Sequence, residues 1–365
     1  MRTRGCLAVA VCLGACSSAS PTAAQLGELM FNDQSLSTPP GQACADCHAA
    51  SVAFREPESD HSTSGGAIAG RFGARNAPTA MYARYVPPLQ RDPQRGWIGG
   101  LFWDGRASTL EEQAGSPLLA PLEMNNPDKA AVVEAVRRSS YAPMFRELFG
   151  PSSLDDVAQA FAHVAEALAA FERTAPFAPF SSKYDRYLAG QAQLTDAERR
   201  GLAIFEDPAR GNCASCHPSR PSADGTPPLF TDFSYENLGI PRYGNSMFFI
   251  QPPALNPAGA SYIDHGLVGT VGDLAADGKF RVPTLRNIAR SGPYGHNGYF
   301  ENLPYMIDFL NTRDGGSADP AVGAWAAPEV ARNVDQRVGH LGLGAQDMAD
   351  LVAFLETLTD EPPSR

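Results

Sequence analysis

The segment Cys44-Ala-Asp-Cys47-His48 decides how this sequence is interpreted, because the same pattern returns as Cys213-Ala-Ser-Cys216-His217. Cys-x-x-Cys-His is the attachment signature of a c-type haem, in which both thiols bond to the porphyrin and the histidine ligates the iron. Four thiolates could instead bind zinc, and each pair could be redox-active or form a disulfide. None of these alternatives explains the histidine that follows both pairs. The sequence therefore predicts two covalent haem c groups.

The other three cysteines lie within the first sixteen residues, which have the composition of an export signal. Two arginines come first, a short apolar stretch follows, and Leu13-Gly-Ala-Cys16 closes the segment. This order is typical of a secretory signal peptide. The small residues before Cys16 resemble the lipobox of bacterial lipoproteins, and cleavage after a later small residue is the alternative. We expect a lipoprotein signal peptide at residues 1–15, a linker at residues 16–25, and a periplasmic protein held on the outer membrane through lipidated Cys16.

The composition describes a soluble globular protein and excludes several other classes. Of the 365 residues, 43% are hydrophobic and 19% are charged, which suits roughly two domains. The net charge of −11 argues against nucleic-acid binding, which needs a basic surface. No apolar run reaches the ~18 residues of a membrane-spanning helix. The 34 glycines and 31 prolines predict many ordered loops.

Helix signals recur along the chain, whereas no long alternating strand pattern occurs. Ser153-Leu-Asp-Asp156 can cap a helix whose apolar residues recur every three or four positions as far as Phe171. Thr195-Asp-Ala-Glu198 forms a capping box before the second haem motif. Shorter helical patterns occupy residues 26–31 and residues 345–358. We therefore predict a mostly α protein.

The separation of the two haem motifs predicts one haem for each domain. Pro176 and Pro179 interrupt the helical pattern between the motifs and mark the boundary. We expect two cytochrome c-like haem domains packed side by side, with long ordered loops, at residues 26–178 and 179–365.

Further segments make the sequence similar to the bacterial di-haem cytochrome c peroxidases, a family that includes MauG, and they occur in the family's order. They are Leu26-Gly-Glu-Leu-Met-Phe31, Arg75-Asn-Ala-Pro78, Phe102-Trp-Asp-Gly-Arg106, Leu122-Glu-Met-Asn125 and Val282-Pro-Thr-Leu-Arg-Asn287. The resemblance implies that the first haem binds hydrogen peroxide and that the second transfers electrons.

The resemblance also implies roles for individual side chains. Glu123 and Gln113 match the polar pair above the first haem, where a carboxylate can move a proton between the two peroxide oxygens. Trp103 matches a tryptophan between the haems that relays electrons, and Arg286 is expected to contact a haem. Without the resemblance, Glu123 and Gln113 would be solvated residues and Trp103 a core residue.

The family's calcium site matches the side chain of Asn76 and the carbonyl groups of Ser291 and Pro293, and oxygen ligands suit calcium.

The family's peroxidases also carry a histidine in the loop after the first haem motif. That position falls near Ile68 here, and His61 lies seven residues too early. We therefore expect the haem of His48 to be open on its second side.

The second haem shows a departure from the family pattern. The family places a methionine or tyrosine ligand fourteen residues after the histidine that corresponds to His296, and this position is Leu310. Met306, one helical turn earlier, is a candidate iron ligand, although an ordinary core methionine is the preferred interpretation. Tyr305 and His296 are more remote candidates.

These observations predict a di-haem oxidoreductase that reduces hydrogen peroxide to water with electrons from a small redox protein, either a cytochrome c or a cupredoxin. One alternative is MauG-like oxidation of a partner protein by an oxidised di-haem state, which the open first haem favours. Another is a lipid-anchored electron carrier or haem sensor without turnover, which Leu310 favours and Glu123 opposes.

Overall fold

The computed structural model describes residues 20–57, 63–317 and 319–361, and most of its regular structure is helical. The helices are α1 (Ala23–Phe31), α2 (Cys44–Cys47), α3 (Leu110–Leu119), α4 (Lys129–Arg138), α5 (Ala142–Phe149), α6 (Val157–Glu172), α7 (Lys183–Leu188), α8 (Asp196–Glu206), α9 (Val268–Val271), α10 (Leu303–Thr312) and α11 (Ala345–Glu356). Long irregular segments connect them, as the glycine and proline content predicts. Across the described ranges, no helix is both long and apolar enough to cross a bilayer.

The first hydrophobic core forms where α1 and α3 pack on α6. Asp156, the last residue of the predicted capping segment, caps α6 by accepting a hydrogen bond from the backbone N–H of Gln159, so the helix begins at Val157 and not at Leu154. Gly27 permits a close crossing of α1 and α6, because a Cβ atom there would overlap the carbonyl oxygen of Ala167. Helix α1 begins three residues before the predicted segment, at a capping box formed by Thr22.

The second core repeats this arrangement with α8 and α11. Thr195 forms the predicted capping box at the start of α8, and α11 begins at the predicted residue. Gly201 lies where α8 crosses α11, and a Cβ atom there would overlap the carbonyl oxygen of Asp350. Phe354 on α11 is fully buried in this core. Each half therefore has its own helix crossing at a glycine.

Of two short antiparallel sheets, one is a local hairpin and the other joins segments that are distant in sequence. Strand β1 (Gln90–Asp92) pairs with β2 (Gly96–Ile98), and β3 (Tyr235–Glu236) pairs with β4 (Phe280–Arg281). A β-bridge between Ile98 and Ser234 connects the two sheets. Loops from the first half of the chain therefore pack directly on the second half.

The predicted boundary falls between the two cores. Phe177 is buried in the first core and Tyr184 in the second. The halves also contact each other elsewhere, since the Tyr82 hydroxyl donates to Asp360 over 2.7 Å. The domain limits at residues 178 and 179 stay a prediction. Residues 1–19, which include the expected signal peptide and Cys16, lie outside the described residues.

Candidate functional site

One continuous cavity is lined by both Cys-x-x-Cys-His motifs. The first motif begins at α2, and the second begins at a 3-10 turn, Cys213–Ser215. The four described cysteines form no disulfide. Burial raises the pKa of the Cys47 thiol to about 12 and of the Cys216 thiol to about 11. Within the described ranges, no three His, Cys, Asp or Glu side chains form a metal-binding cluster, so the four thiols are not arranged as one zinc site.

The histidine of each motif is oriented in the same way. Nδ1 of His48 lies 3.0 Å from the carbonyl oxygen of Phe54, and Nδ1 of His217 lies 2.7 Å from that of Phe230. A carbonyl oxygen only accepts, so Nδ1 is the donor and Nε2 keeps its lone pair for a metal. Burial lowers the pKa of both imidazoles and favours this neutral form.

Phe54 and Phe230 were not identified from the sequence. Both have a positive φ, 50° and 52°, which is uncommon for a residue other than glycine and turns each carbonyl group toward its histidine. They lie at different distances from their motifs, so no spacing pattern reveals them. The two haem motifs therefore share a supporting contact that only the folded chain shows.

Glu123 and Gln113 line the cavity together, as the resemblance implies. Gln113 lies on α3, and Glu123 lies in the turn that follows, where its carbonyl oxygen accepts a 2.7 Å hydrogen bond from Ala67 N. Arg71 holds the same turn through a 2.9 Å hydrogen bond to the carbonyl oxygen of Pro121. Burial raises the pKa of Glu123, and Arg106 opposes part of that rise. The carboxyl group is therefore poised to exchange a proton closer to neutral pH than a free glutamate.

Trp103 lines the same cavity as both haem motifs. Its indole Nε1 donates to the carbonyl oxygen of Asn76 over 2.8 Å, and its own carbonyl oxygen accepts from Arg281 N on β4 over 2.9 Å. Contacts on both sides fix the ring between segments of the two halves. Its predicted relay role is compatible with this position and stays a prediction.

The predicted calcium ligands are partly brought together. The Asn76 side-chain amide donates to the carbonyl oxygen of Pro293 over 2.7 Å. Ser291 lines the cavity nearby. Calcium binds oxygen atoms, so an ion here would require Oδ1 of Asn76, rather than its amide nitrogen, to face Pro293.

Helix α10 presents an apolar face to the cavity. Leu303, Met306, Ile307 and Leu310 line it, and these positions recur at helical spacing. Tyr305 is not among the lining residues, and its ring packs 5.1 Å from Trp325. Met306 and Leu310 therefore share one face, and only Met306 offers an electron-pair donor there.

Other sequence-based expectations receive less support. Arg286 does not line the cavity; its guanidinium forms 2.7 and 2.9 Å hydrogen bonds with Asp185 and its Nε donates to Pro228 O. The guanidinium donors of Arg286 thus serve an internal ion pair, and its expected haem contact stays a prediction. Ile68 does not line the cavity, and His61 lies outside the described residues.

Two cavity residues were missed from the sequence, Glu172 and Arg281, and His296, a remote candidate ligand, lines the same cavity. Glu172 is buried at the end of α6, and burial raises its pKa to about 8. His296 is 4% exposed, stacks on Phe280 with ring centroids 3.6 Å apart, and has no hydrogen-bond partner on either nitrogen. No local motif marks Glu172 or Arg281 as a cavity residue, because the cavity is assembled from segments that are distant in sequence.

Comparisons with known proteins agree with this geometry. Residues 21–193 match the family described as di-haem cytochrome c peroxidase. The methylamine utilization protein MauG of Paracoccus denitrificans is 41% identical over 350 residues, which cover 92% of this chain and 88% of that protein. The chain belongs to the di-haem cytochrome c peroxidase and MauG family.

Other family members are similar over nearly the whole chain. The cytochrome c551 peroxidase of Nitrosomonas europaea is 27% identical over 343 residues, covering 93% of this chain and 80% of that protein. The crystal structure of the diheme peroxidase BthA from Burkholderia thailandensis superposes with a TM-score of 0.81 at 37% identity, covering 93% of this chain and 86% of that chain. The mostly α di-haem fold is thereby confirmed, and family membership implies two haem c cofactors. The two thiol pairs, the two oriented imidazoles and the shared cavity fit that cofactor set.

Proposed function

We propose that this protein reduces hydrogen peroxide to water in the part of the cavity that contains His48, using electrons that a small redox protein delivers to the haem of His217. The observation that carries the proposal is Glu123, a carboxyl group with a raised pKa that lines the cavity together with Gln113 and Arg106. Burial of an ionisable carboxyl group costs stability, but it also moves the pKa toward neutral pH, and that shift helps a group that must accept and return a proton.

The reaction needs two electrons and two protons for each peroxide and yields two water molecules. When bound, haem c supplies an iron centre that exchanges electrons with peroxide. Glu123 accepts a proton from one peroxide oxygen and returns it to the other, which leaves as water. The Gln113 amide can hydrogen-bond the bound peroxide, and Arg106 limits the rise in the pKa of Glu123.

Trp103 connects the two parts of the cavity in this proposal. Its hydrogen bond to Asn76 and its backbone contact with Arg281 hold the indole in one position. A fixed aromatic ring between two haems would divide the electron transfer into two shorter steps. The apolar face of α10 would exclude water from a haem held by His217, which suits an electron-transfer group.

A second candidate is MauG-like oxidation of a partner protein, and the 41% identity to a MauG favours it. In that case peroxide takes its two electrons from a side chain of the partner protein through the same two haems. A non-catalytic electron carrier is opposed by Glu123 and Gln113, which a carrier does not need.

We also propose that the chain is exported, lipidated at Cys16 and held on the periplasmic side of the outer membrane. The motif at residues 13–16 supports this proposal. A calcium ion bound by Asn76, Ser291 and Pro293 is proposed on their oxygen atoms and their proximity.

Steady-state peroxide reduction by the di-haem protein, with a chemically reduced small cytochrome as donor, tests the proposal. Sustained turnover supports the peroxidase. Peroxide consumption without sustained turnover favours the MauG-like reaction, and no reaction with peroxide leaves only the carrier.

A further inference from the structure

Arg281 differs from the other arginines that line the cavity. Those three form ion pairs with carboxylates of the protein: Arg75 with Asp104 and Asp264, Arg106 with Asp104, and Arg337 with Glu236 and Asp335. Arg281 has no carboxylate partner among the described residues. Within the part of the chain that the structure describes, its one side-chain hydrogen bond is from Nε to the carbonyl oxygen of Phe102, over 3.2 Å.

The position of Arg281 directs its unpaired guanidinium nitrogens toward the cavity. The residue lies on β4, paired with Tyr235 of β3, and the accessible part of its side chain faces the cavity. Burial lowers the pKa of its guanidinium, which still remains charged. A desolvated cation is costly unless an anion compensates it. The two terminal nitrogens of the Arg281 guanidinium therefore need an anionic group of a molecule that is bound in the cavity.

We propose that Arg281 binds a propionate carboxylate of a haem at the junction of the two halves. Each haem brings two carboxylates into this cavity, and a guanidinium binds a carboxylate through paired hydrogen bonds. The Nε bond to Phe102 and the backbone bond to Trp103 then connect that propionate to the segment that carries the tryptophan. Arg281 thereby positions Trp103 relative to the haem and places a positive charge beside it.

This inference rests on the attachment of the haems and not on peroxide turnover, so an inactive di-haem protein could still support it. A nearby positive charge favours the reduced, less positive iron. Loss of the Arg281 charge should therefore lower the midpoint potential of the haem whose propionate it binds.

The test uses the full di-haem protein and three variants: Arg281→Gln, Arg281→Lys and the control Arg91→Gln. Arg91 lies on β1 with a side chain that is 61% exposed and paired with Asp273. Spectroelectrochemical titration should show a lower midpoint potential for one haem in Arg281→Gln. The potential should return toward the wild-type value in Arg281→Lys, and Arg91→Gln should match the wild type. Unchanged potentials in Arg281→Gln would overturn the proposal, because a purely structural arginine would alter stability only.

If Arg281→Gln does not retain both haems, resonance Raman spectra of Arg281→Lys and the wild type provide a second test. The propionate bending bands respond to hydrogen bonding. A shift of one band in Arg281→Lys supports the contact, and identical bands contradict it.

Discussion

The two halves of the cavity share one way of holding a histidine and differ in the remaining side chains. Both motifs pair Nδ1 with the carbonyl group of a phenylalanine at positive φ. The first half then adds Gln113 and Glu123, whereas α10 adds an apolar face that includes Leu310. The attachment motif is thus duplicated, whereas the pairing of Gln113 with Glu123 occurs in the first half and the apolar face of α10 in the second. This difference supports the proposal that peroxide reacts in the first half and that the second half transfers electrons.

Removal of the Glu123 carboxyl group should have the largest effect. Glu123→Gln keeps the shape of the side chain and cannot accept a proton, so the reaction with peroxide should slow by at least ~10²-fold, the usual contribution of general acid–base catalysis. Stopped-flow mixing with peroxide measures this rate. Glu147→Gln, which changes an exposed glutamate on α5, is the matched control. An unchanged rate in Glu123→Gln would remove this residue from the mechanism and, with it, the chemical difference between the two halves.

The decrease of the same reaction rate at low pH tests the role of Glu123 further. Only the deprotonated carboxylate can accept a proton, and burial raises the pKa of Glu123. The rate should therefore fall on acidification at a higher pH than an ordinary carboxyl group would give, and this decrease should be absent in Glu123→Gln. A wild-type rate that stays constant down to the range of free glutamate would contradict the raised pKa.

Replacement of Trp103 should have a smaller effect, because it alters the connection and not the peroxide chemistry. Trp103→Phe loses the indole and its hydrogen bond to Asn76. Steady-state turnover with a reduced cytochrome should fall while the first reaction with peroxide keeps its rate. Trp97→Phe, on β2 and away from the cavity, controls for loss of a tryptophan. Equal losses in both variants would contradict a relay role.

The apolar face of α10 can be tested by spectroscopy. Met306→Leu should leave the oxidised spectrum unchanged if the methionine is a packing residue. Leu310→Met should introduce the near-infrared band of a methionine-ligated ferric haem, because it places a thioether on the cavity face of α10. A ligand band that is present in the wild type and lost in Met306→Leu would show that this half already supplies an axial ligand.

The smallest predicted effect concerns stability. Burial raises the pKa of Glu172 to about 8, so between the pKa of a free glutamate and about pH 8 the folded protein binds more protons than the unfolded chain. The free energy of unfolding should fall as the pH rises through that window, and less so in Glu172→Gln. Urea unfolding at the two ends of the window measures the difference, and identical pH dependence in both proteins would contradict it.

Much of the architecture could be predicted from the sequence because its signals are local. The haem motifs, the cap at Asp156 and the capping box at Thr195 each depend on residues a few positions apart. The carbonyl contacts of Phe54 and Phe230 could not be predicted, since they depend on backbone conformations at positions without a fixed spacing. The contrast between Arg281 and the paired arginines likewise requires knowing which carboxylates lie within reach in the folded chain.

The central claim is that both halves of this one chain attach a haem covalently, so that their differences are differences between two haem environments. Mass spectrometry of the denatured, matured protein tests this claim directly. We expect the mass of the polypeptide plus two haem groups. A mass with a single haem, or that of the bare polypeptide, would contradict the claim.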